Sequence, residues 1–385
     1  MIEDHQAKKR LGGLCLIAIA AILGATLWPF NPWPQNHVSW IAGSTGIRFD
    51  RGGGVVVSES PLEVGPLRAG GATASSGNDQ SCSLELLLRP ADVDSGGTIL
   101  TFYDPDNPVK LAIRQWTDGL LVTHDRPSAK QVRTKFDVDH AFQTKTSILI
   151  TIASNPNGTT VYLDGKKAQD FPKFRISWSD LTGEIIMGTP PVDYQSWQGE
   201  ILGLAIYARE LTPTEVTSDY ASWIAPEKDS AASSPALARY TFSERSGSTS
   251  RNQVNSGPNL DIPAHFFVPH KAMLKSPVKE FSRDWSYVYD VIVNIVGFAP
   301  LGIIVCAYLE LSRTRSAAIF YTILIGAILS CTVESLQAFI PRRASGITDI
   351  ITNTSGSALG AWLAGSAAIH KLLEKMKLVS LHGPV

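Results

Sequence analysis

Several things are scarce in this chain, and each absence narrows the field. Lys and Arg total 34 against 35 Asp and Glu in 385 residues, a formal net charge of -1. No basic surplus exists for a nucleic-acid backbone to bind. Glycine loops of the phosphate- or dinucleotide-binding type are missing. There are four cysteines, at positions 15, 82, 306 and 331, and three of them fall in apolar runs. That excludes a disulfide framework and a Cys-x-x-Cys metal site. No serine or cysteine is matched with a histidine in a nucleophilic arrangement, and His370 stands far toward the C-terminus. Glycoside hydrolysis needs two carboxylates facing one cleft; the strand-like stretch "SLELLLR" carries Glu85 alone.

What is abundant is apolar sequence at both ends. "LGGLCLIAIAAILGATLW", Leu11 to Trp28, follows the basic "KKR". It approaches the roughly 20 residues that span a bilayer, with a tryptophan suited to the interface. No small-x-small cleavage site follows, so it reads as an uncleaved anchor rather than a signal peptide. Three further spans are expected at about 288–311, 317–339 and 347–369. Lys8, Lys9 and Arg10, then Arg313 and Arg315, then Lys371, Lys375 and Lys377 all share one side if there are four spans. By the positive-inside rule both termini are then cytoplasmic and the long middle lies outside. Arg342 and Arg343 break that rule and invite a local explanation.

From about Val38 to Tyr220 the chain alternates in short strands with turn punctuation, the pattern of an all-β sandwich. Asp164-Gly165 in "VYLDGKK" predicts a type I′ hairpin, which needs positive φ twice. "TPTE" at 212–215 predicts a capping box with Pro213 at the first helical position. "WQGEILGLAIYARELTPTEV" resembles the ending of a laminin G-like, or concanavalin A-like, jelly-roll domain. That resemblance implies a glycan- or protein-binding module. Trp116 and Trp197 would stack on sugar rings or else sit in the core. Asp104, Asp106 and Asn107 in "YDPDN" would offer oxygens to calcium, as in some relatives, or simply form a surface turn. No other cofactor is expected. The domain reading is 1–30 for the N-terminus and first helix, 36–225 for the sandwich, 226–285 for a linker with candidate outer strands, 286–370 for a helical membrane domain and 371–385 for a cytoplasmic tail.

The last spans are not purely apolar. Asp290, Asn294, Phe298 and Gly302 recur every four residues and share one helical face. Glu334 and Gln337 share another; Asp349, Asn353, Gly356 and Gly360 form a third stripe. In the four-span arrangement these groups converge with Arg343 near the outer leaflet, where charge pairing would offset desolvation. The set Asp290-x-x-x-Asn294-x-x-x-Phe298-x-Pro300-x-Gly302, Glu334-x-x-Gln337, Arg343, Asp349, Asn353, Gly356 and Gly360 resembles the VanZ-like family. The resemblance covers about ninety C-terminal residues and the first helix. It implies a bacterial plasma-membrane protein of the cell envelope, with a connection to teicoplanin-type glycopeptide resistance. Simple relatives join their first two helices by a short loop; here a sandwich occupies that place. Three roles stand open for the polar cluster: Arg343 clamps the carboxylates structurally, the residues hold a lipid headgroup or antibiotic, or Glu334 or Asp349 acts as a general acid/base.

Overall fold

The strand "CSLELLLRP" is buried on both faces, and the architecture of half the molecule follows from that fact. A computed structural model describes residues 2–63, 80–126, 132–191, 196–225, 236–254, 257–376 and 378. The chain divides into two units: residues 34–270, and residues 1–33 together with 271–385.

Among the described residues the first unit is all β apart from one helix and a single 3-10 turn. In chain order its strands are β1 (Val38–Trp40), β2 (Ile47–Phe49), β3 (Val55–Ser58), β4 (Cys82–Pro90), β5 (Gly96–Asp104), β6 (Asn107–Trp116), β7 (Gly119–Arg126) and β8 (Val132–Val138). There follow β9 (Ile148–Asn155), β10 (Gly158–Leu163), β11 (Lys166–Phe171), β12 (Glu184–Gly188), β13 (Gly199–Tyr207), β14 (Ala238–Tyr240), β15 (Thr249–Ser250) and β16 (Leu260–Asp261). One antiparallel sheet runs β1-β2-β13-β4-β9-β10-β11 with β14 beside β13; the other runs β15-β16-β3-β12-β5-β6-β7-β8. Leu84, Leu86 and Leu88 of β4 point into the core between the sheets with Phe102, Leu111, Ile113 and Val122. Burial of each such side chain contributes about 1.5–3 kcal/mol. The opposite face of β4 is covered too, because Leu87 packs with Val216 and Trp223 of helix α2 (Pro213–Ile224). The two-sheet sandwich is therefore continuous with a helix-capped outer face.

Local sequence signals map onto this frame. Asp164 and Gly165 have φ of 50° and 74° between β10 and β11, the double positive φ of a type I′ turn. Thr212 caps α2 by accepting from the Glu215 backbone N–H, and Glu215 returns the bond to Thr212 N at 2.8 Å. Of the segment expected as linker, residues 226–235 lie outside the described residues. Beyond them β14 joins one sheet at β13 while β16 joins the other at β3.

The second unit is helical: α1 (Ile2–Leu27), the single turn α3 (Pro277–Glu280), α4 (Trp285–Glu310), α5 (Arg315–Gln337), α6 (Ile347–Leu363) and α7 (Ala367–Lys375). Among the described residues three helices are long and apolar enough to cross a membrane: Gln6–Leu27, Trp285–Glu310 and Arg315–Gln337. The fourth expected span is divided. α6 has 17 residues, and Ser366 then starts α7 by accepting from Ile369 N. α7 carries His370, Lys371, Glu374 and Lys375, which end the apolar run. Lys377 and residues 379–385 of the expected tail lie outside the described residues. α6 packs on both α4 and α5. A Cβ added at Gly356 would collide with the Ile295 carbonyl, and one at Gly302 with the Ser357 backbone. Small residues thus allow the close backbone approach typical of membrane helices.

Candidate functional sites

The polar residues of the helical unit gather at helix ends rather than along spans. The N-terminus of α6 leaves its first N–H groups without intrahelical acceptors. Glu334, 2% exposed near the end of α5, accepts from Gly346 N, the N-cap of α6, at 2.8 Å. Glu280, at the end of α3, accepts from Thr348 N at 3.0 Å. Asp349 stands in the first turn of α6 and accepts from Asn294 Nδ2 of α4 at 2.8 Å. Three carboxylates therefore surround the positive end of one helix, where N–H donors and the helix dipole stabilise negative charge. Ser345, fully buried, ties the same turn to α5 by donating to Glu334 O at 2.8 Å.

The cations do the converse. One of the three open roles has Arg343 clamping the carboxylates; instead its Nη2 donates to Trp28 O, 2.5 Å away, just past the end of α1. Among the described residues it forms no ion pair with Asp290, Glu334 or Asp349. The cause is the tight connection after α5, where Ile340 N bonds Gln337 O and Arg343 N bonds Ile340 O. That turn directs the guanidinium to the carbonyls that end α1, which lack intrahelical donors. Gln337 serves the same helix end, donating to Thr26 O at 2.9 Å. Lys271 donates to Gln337 O at 2.8 Å and to Ile340 O, at the C-terminal end of α5. Burial, with Lys275 nearby, lowers its pKa from the usual lysine range to about 8. Arg315 bridges Glu310, at 2.5 Å, and Trp362 O near the end of α6.

Of the other predicted members, Asn353 is buried and donates to Ser330 of α5 at 3.0 Å, linking α6 to α5 one turn below Glu334. Asp290 is exposed, one turn before Asn294 on α4. Sequence reasoning missed Glu280. Ser276-Pro277 followed by Glu280 signals a helix start, but nothing in the sequence ties that short helix to α6.

In the sandwich unit the two candidate tryptophans separate. Trp197 is 1% exposed and donates its indole N–H to Gln115 Oε1 at 2.6 Å. It is a core residue and cannot stack on a sugar; a tryptophan two residues before a strand carries no signal of which face it takes. Trp116 is exposed. Asp104, Asp106 and Asn107 form the turn between β5 and β6, with Asp104 Oδ1 accepting from Asp106 N at 3.1 Å. Among the described residues no group of three or more His, Cys, Asp or Glu side chains gathers as a metal site.

Two further polar groups occupy the outer face of the β4 sheet. Beneath α2, Glu85 is fully buried and its Oε2 accepts from Tyr207 Oη and Trp223 Nε1, each at 2.9 Å. Burial raises its pKa to about 7, against the opposing effect of those bonds. At the end of the same face, an open cleft of about 320 Å³ is lined by Arg48, Arg89, Lys145, Asp50, Glu200, Phe49 and the small residues Pro90, Ala91 and Gly199. Glu200 of β13 stands opposite Arg48 of β2 and Arg89 of β4 in register. Arg48 gives two bonds to Glu200 Oε1, at 3.0 and 2.8 Å, and Arg89 gives one to Oε2 at 2.8 Å. Four non-adjacent segments build this cleft, so the sequence offered no local motif for it.

A β-sandwich joined to apolar helices of membrane-spanning length defines the class of this protein. Its C-terminal part is VanZ/LLP1-like: residues 236–368 match that family's model. The match begins at the final strands of the sandwich unit and includes α3 to α6, a wider stretch than the ninety residues first expected, and it does not include α1. No curated protein matches the chain. Similar solved structures include a candidate carbohydrate-binding protein from Bacteroides ovatus, 12% identical over 58% of this chain and 61% of that one, TM-score 0.38. A second is the CBM40 domain of the Ruminococcus gnavus IT-sialidase bound to α2,3-sialyllactose, 10% identical over 37% of this chain and 83% of that one, TM-score 0.31. A third is the SAP-like pentraxin from Limulus polyphemus, 11% identical over 60% and 93%, TM-score 0.34.

Proposed function

We propose that this chain is a bacterial plasma-membrane protein that presents a saccharide-binding β-sandwich outside the cell. Its helices serve as the anchor, with α6 as the fourth span and both termini cytoplasmic. The observation that carries the binding role is the open polar cleft at the end of the β4 sheet, where Arg48, Arg89 and Lys145 meet an outer face that α2 covers further along β4. A few convergent polar groups in a concave surface are one mark of a ligand site. The basic residues at the helix ends support the orientation through the positive-inside rule. A link to teicoplanin-type resistance rests on the family likeness alone. The test is a panel of neutral and acidic envelope oligosaccharides titrated against the intact chain in lipid nanodiscs. Retention of at least one saccharide supports this reading, and retention of none removes it.

A second reading is favoured by the carboxylates around α6. Glu280, Glu334 and Asp349 are gathered at one helix end, with Arg343 turned away. In that reading the group receives a lipid headgroup or moves a proton for a lipid-linked substrate. Their bonds to the α6 N-terminus support the structural role more directly. Glu334→Gln decides between them: loss of an envelope phenotype at normal abundance would favour the site, and an unchanged phenotype the cap.

A further inference from the structure

We infer that the cleft at the end of β2, β4 and β13 is a receptor for the carboxylate of an acidic saccharide. This rests on the saccharide-binding reading above and names its ligand class. Glu200 has both oxygens occupied: Oε1 by Arg48 Nε and Nη2, Oε2 by Arg89 Nη1. Arg89 Nε is in turn held by Ser147 Oγ at 3.1 Å. Each guanidinium carries five N–H donors, so Arg48 Nη1 and Arg89 Nη2 keep unused donors among the described residues. Lys145 adds a third cation; its backbone N–H bonds Pro90 O at 2.9 Å, which fixes the loop against the end of β4. Three cations face two carboxylates in the lining, Glu200 and Asp50. One of those, Glu200, already accepts three bonds from the two arginines.

The geometry explains why this is a receptor rather than a surface ion pair. Exposed arginines lose side-chain entropy when immobilised, and isolated exposed pairs contribute little to stability. Here the two guanidiniums are held in cross-strand register on either side of a carboxylate that is only 12% exposed, while they themselves are 47% and 40% exposed. Glu200 is a positioning residue: it orders both arginines before a ligand arrives. Binding then costs less conformational entropy than it would with free side chains. A carboxylate is planar and takes two parallel N–H donors, which matches a guanidinium edge. Pro90, Ala91 and Gly199 are short lining residues, and Phe49, the large apolar one, is 1% exposed with its ring in the core, which leaves room for a pyranose ring.

The experiment uses the intact chain in nanodiscs of uncharged lipid, titrated calorimetrically with an oligoglucuronate. Its carboxyl-reduced neutral form and a glycerol phosphate oligomer serve as comparison probes. The expected result is binding of the oligoglucuronate, at least tenfold weaker binding of the reduced form, and weakening of the acidic interaction by added salt. Arg48→Gln and Arg89→Gln should each reduce oligoglucuronate affinity about tenfold, with thermal unfolding used to show that the sandwich is still folded at the temperature of the titration. Lys145→Gln, in a loop, provides a variant independent of the sheet and should reduce affinity several-fold. Equal binding of the acidic and neutral forms, undiminished binding by all three variants, or tighter binding of the phosphate oligomer would overturn the carboxylate assignment and leave saccharide binding standing. Failure of every saccharide, acidic or neutral, would overturn both.

Discussion

Replacing Glu334 with alanine exposes the logic of the helical unit. The side chain is buried, and its Oε2 accepts the N–H of Gly346 at the start of α6. A hydrogen bond to a charged group contributes about 1.5–3 kcal/mol, and a carboxylate at a helix N-terminus adds about 0.3–1 kcal/mol. Alanine also leaves the Gly346 N–H without an acceptor inside the protein. The expected loss is therefore about 2–4 kcal/mol for Glu334→Ala. Glutamine keeps an acceptor oxygen and the same shape, so Glu334→Gln should lose only about 1 kcal/mol. Arg343→Ala removes one bond to Trp28 O at a partly exposed position and should cost less than Glu334→Ala. The assay is reversible denaturation of the intact chain in mixed micelles, read by a fluorophore placed on α5. If Arg343→Ala destabilised the protein more than Glu334→Ala, or if alanine and glutamine at 334 behaved alike, the capping argument would fail.

Other consequences follow from the sandwich and the helix interface. Glu85 has its pKa raised to about 7, so its neutral form is favoured in the folded state. Stability from this group is present below about pH 4.5 and is lost as pH rises through 7, by about 3 kcal/mol at 1.36 kcal/mol per pKa unit; Glu85→Gln should flatten that part of a pH–stability profile measured by tryptophan fluorescence. Gly356→Leu drives a side chain into the Ile295 carbonyl and should abolish accumulation of the helical unit, measured as membrane abundance, whereas Gly297→Ala, with open space around its Cα, should be tolerated. Thr212→Ala removes the α2 cap and should cost about 1 kcal/mol in sandwich unfolding. In intact cells the sandwich should be digested by external protease while a tag at residue 1 stays protected; the reverse pattern would overturn the topology.

Local signals in the sequence translated directly into local structure. Asp164-Gly165 encodes two positive-φ residues, and Thr212-Pro213-x-Glu215 encodes a cap, because each depends on atoms within four residues. The periodicity of Asp290, Asn294 and Phe298 likewise placed them on one face of α4. What sequence could not give was the partner of each charge. Arg343 lies six residues from Asp349, yet the turn at Ile340 sends it to the end of α1 instead. Glu280 reaches α6 from 68 positions before its partner Thr348, a separation no periodicity spans. Trp197 illustrates the same limit just ahead of a strand: its burial goes with a bond to Gln115 of β6, 82 positions away in the chain. The cleft is the extreme case, since Arg48, Arg89, Lys145 and Glu200 come from four segments brought together only by sheet order.

The most direct test of the central claim is the chemical content of material that copurifies with the intact chain from its native membrane. Saccharide is predicted to accompany both the unaltered protein and Glu334→Gln, and to be lost from the Arg48→Gln, Arg89→Gln double variant. A lipid-linked molecule lost on Glu334→Gln but retained by the arginine variant would contradict it, and would move the binding function from the sandwich to the helices.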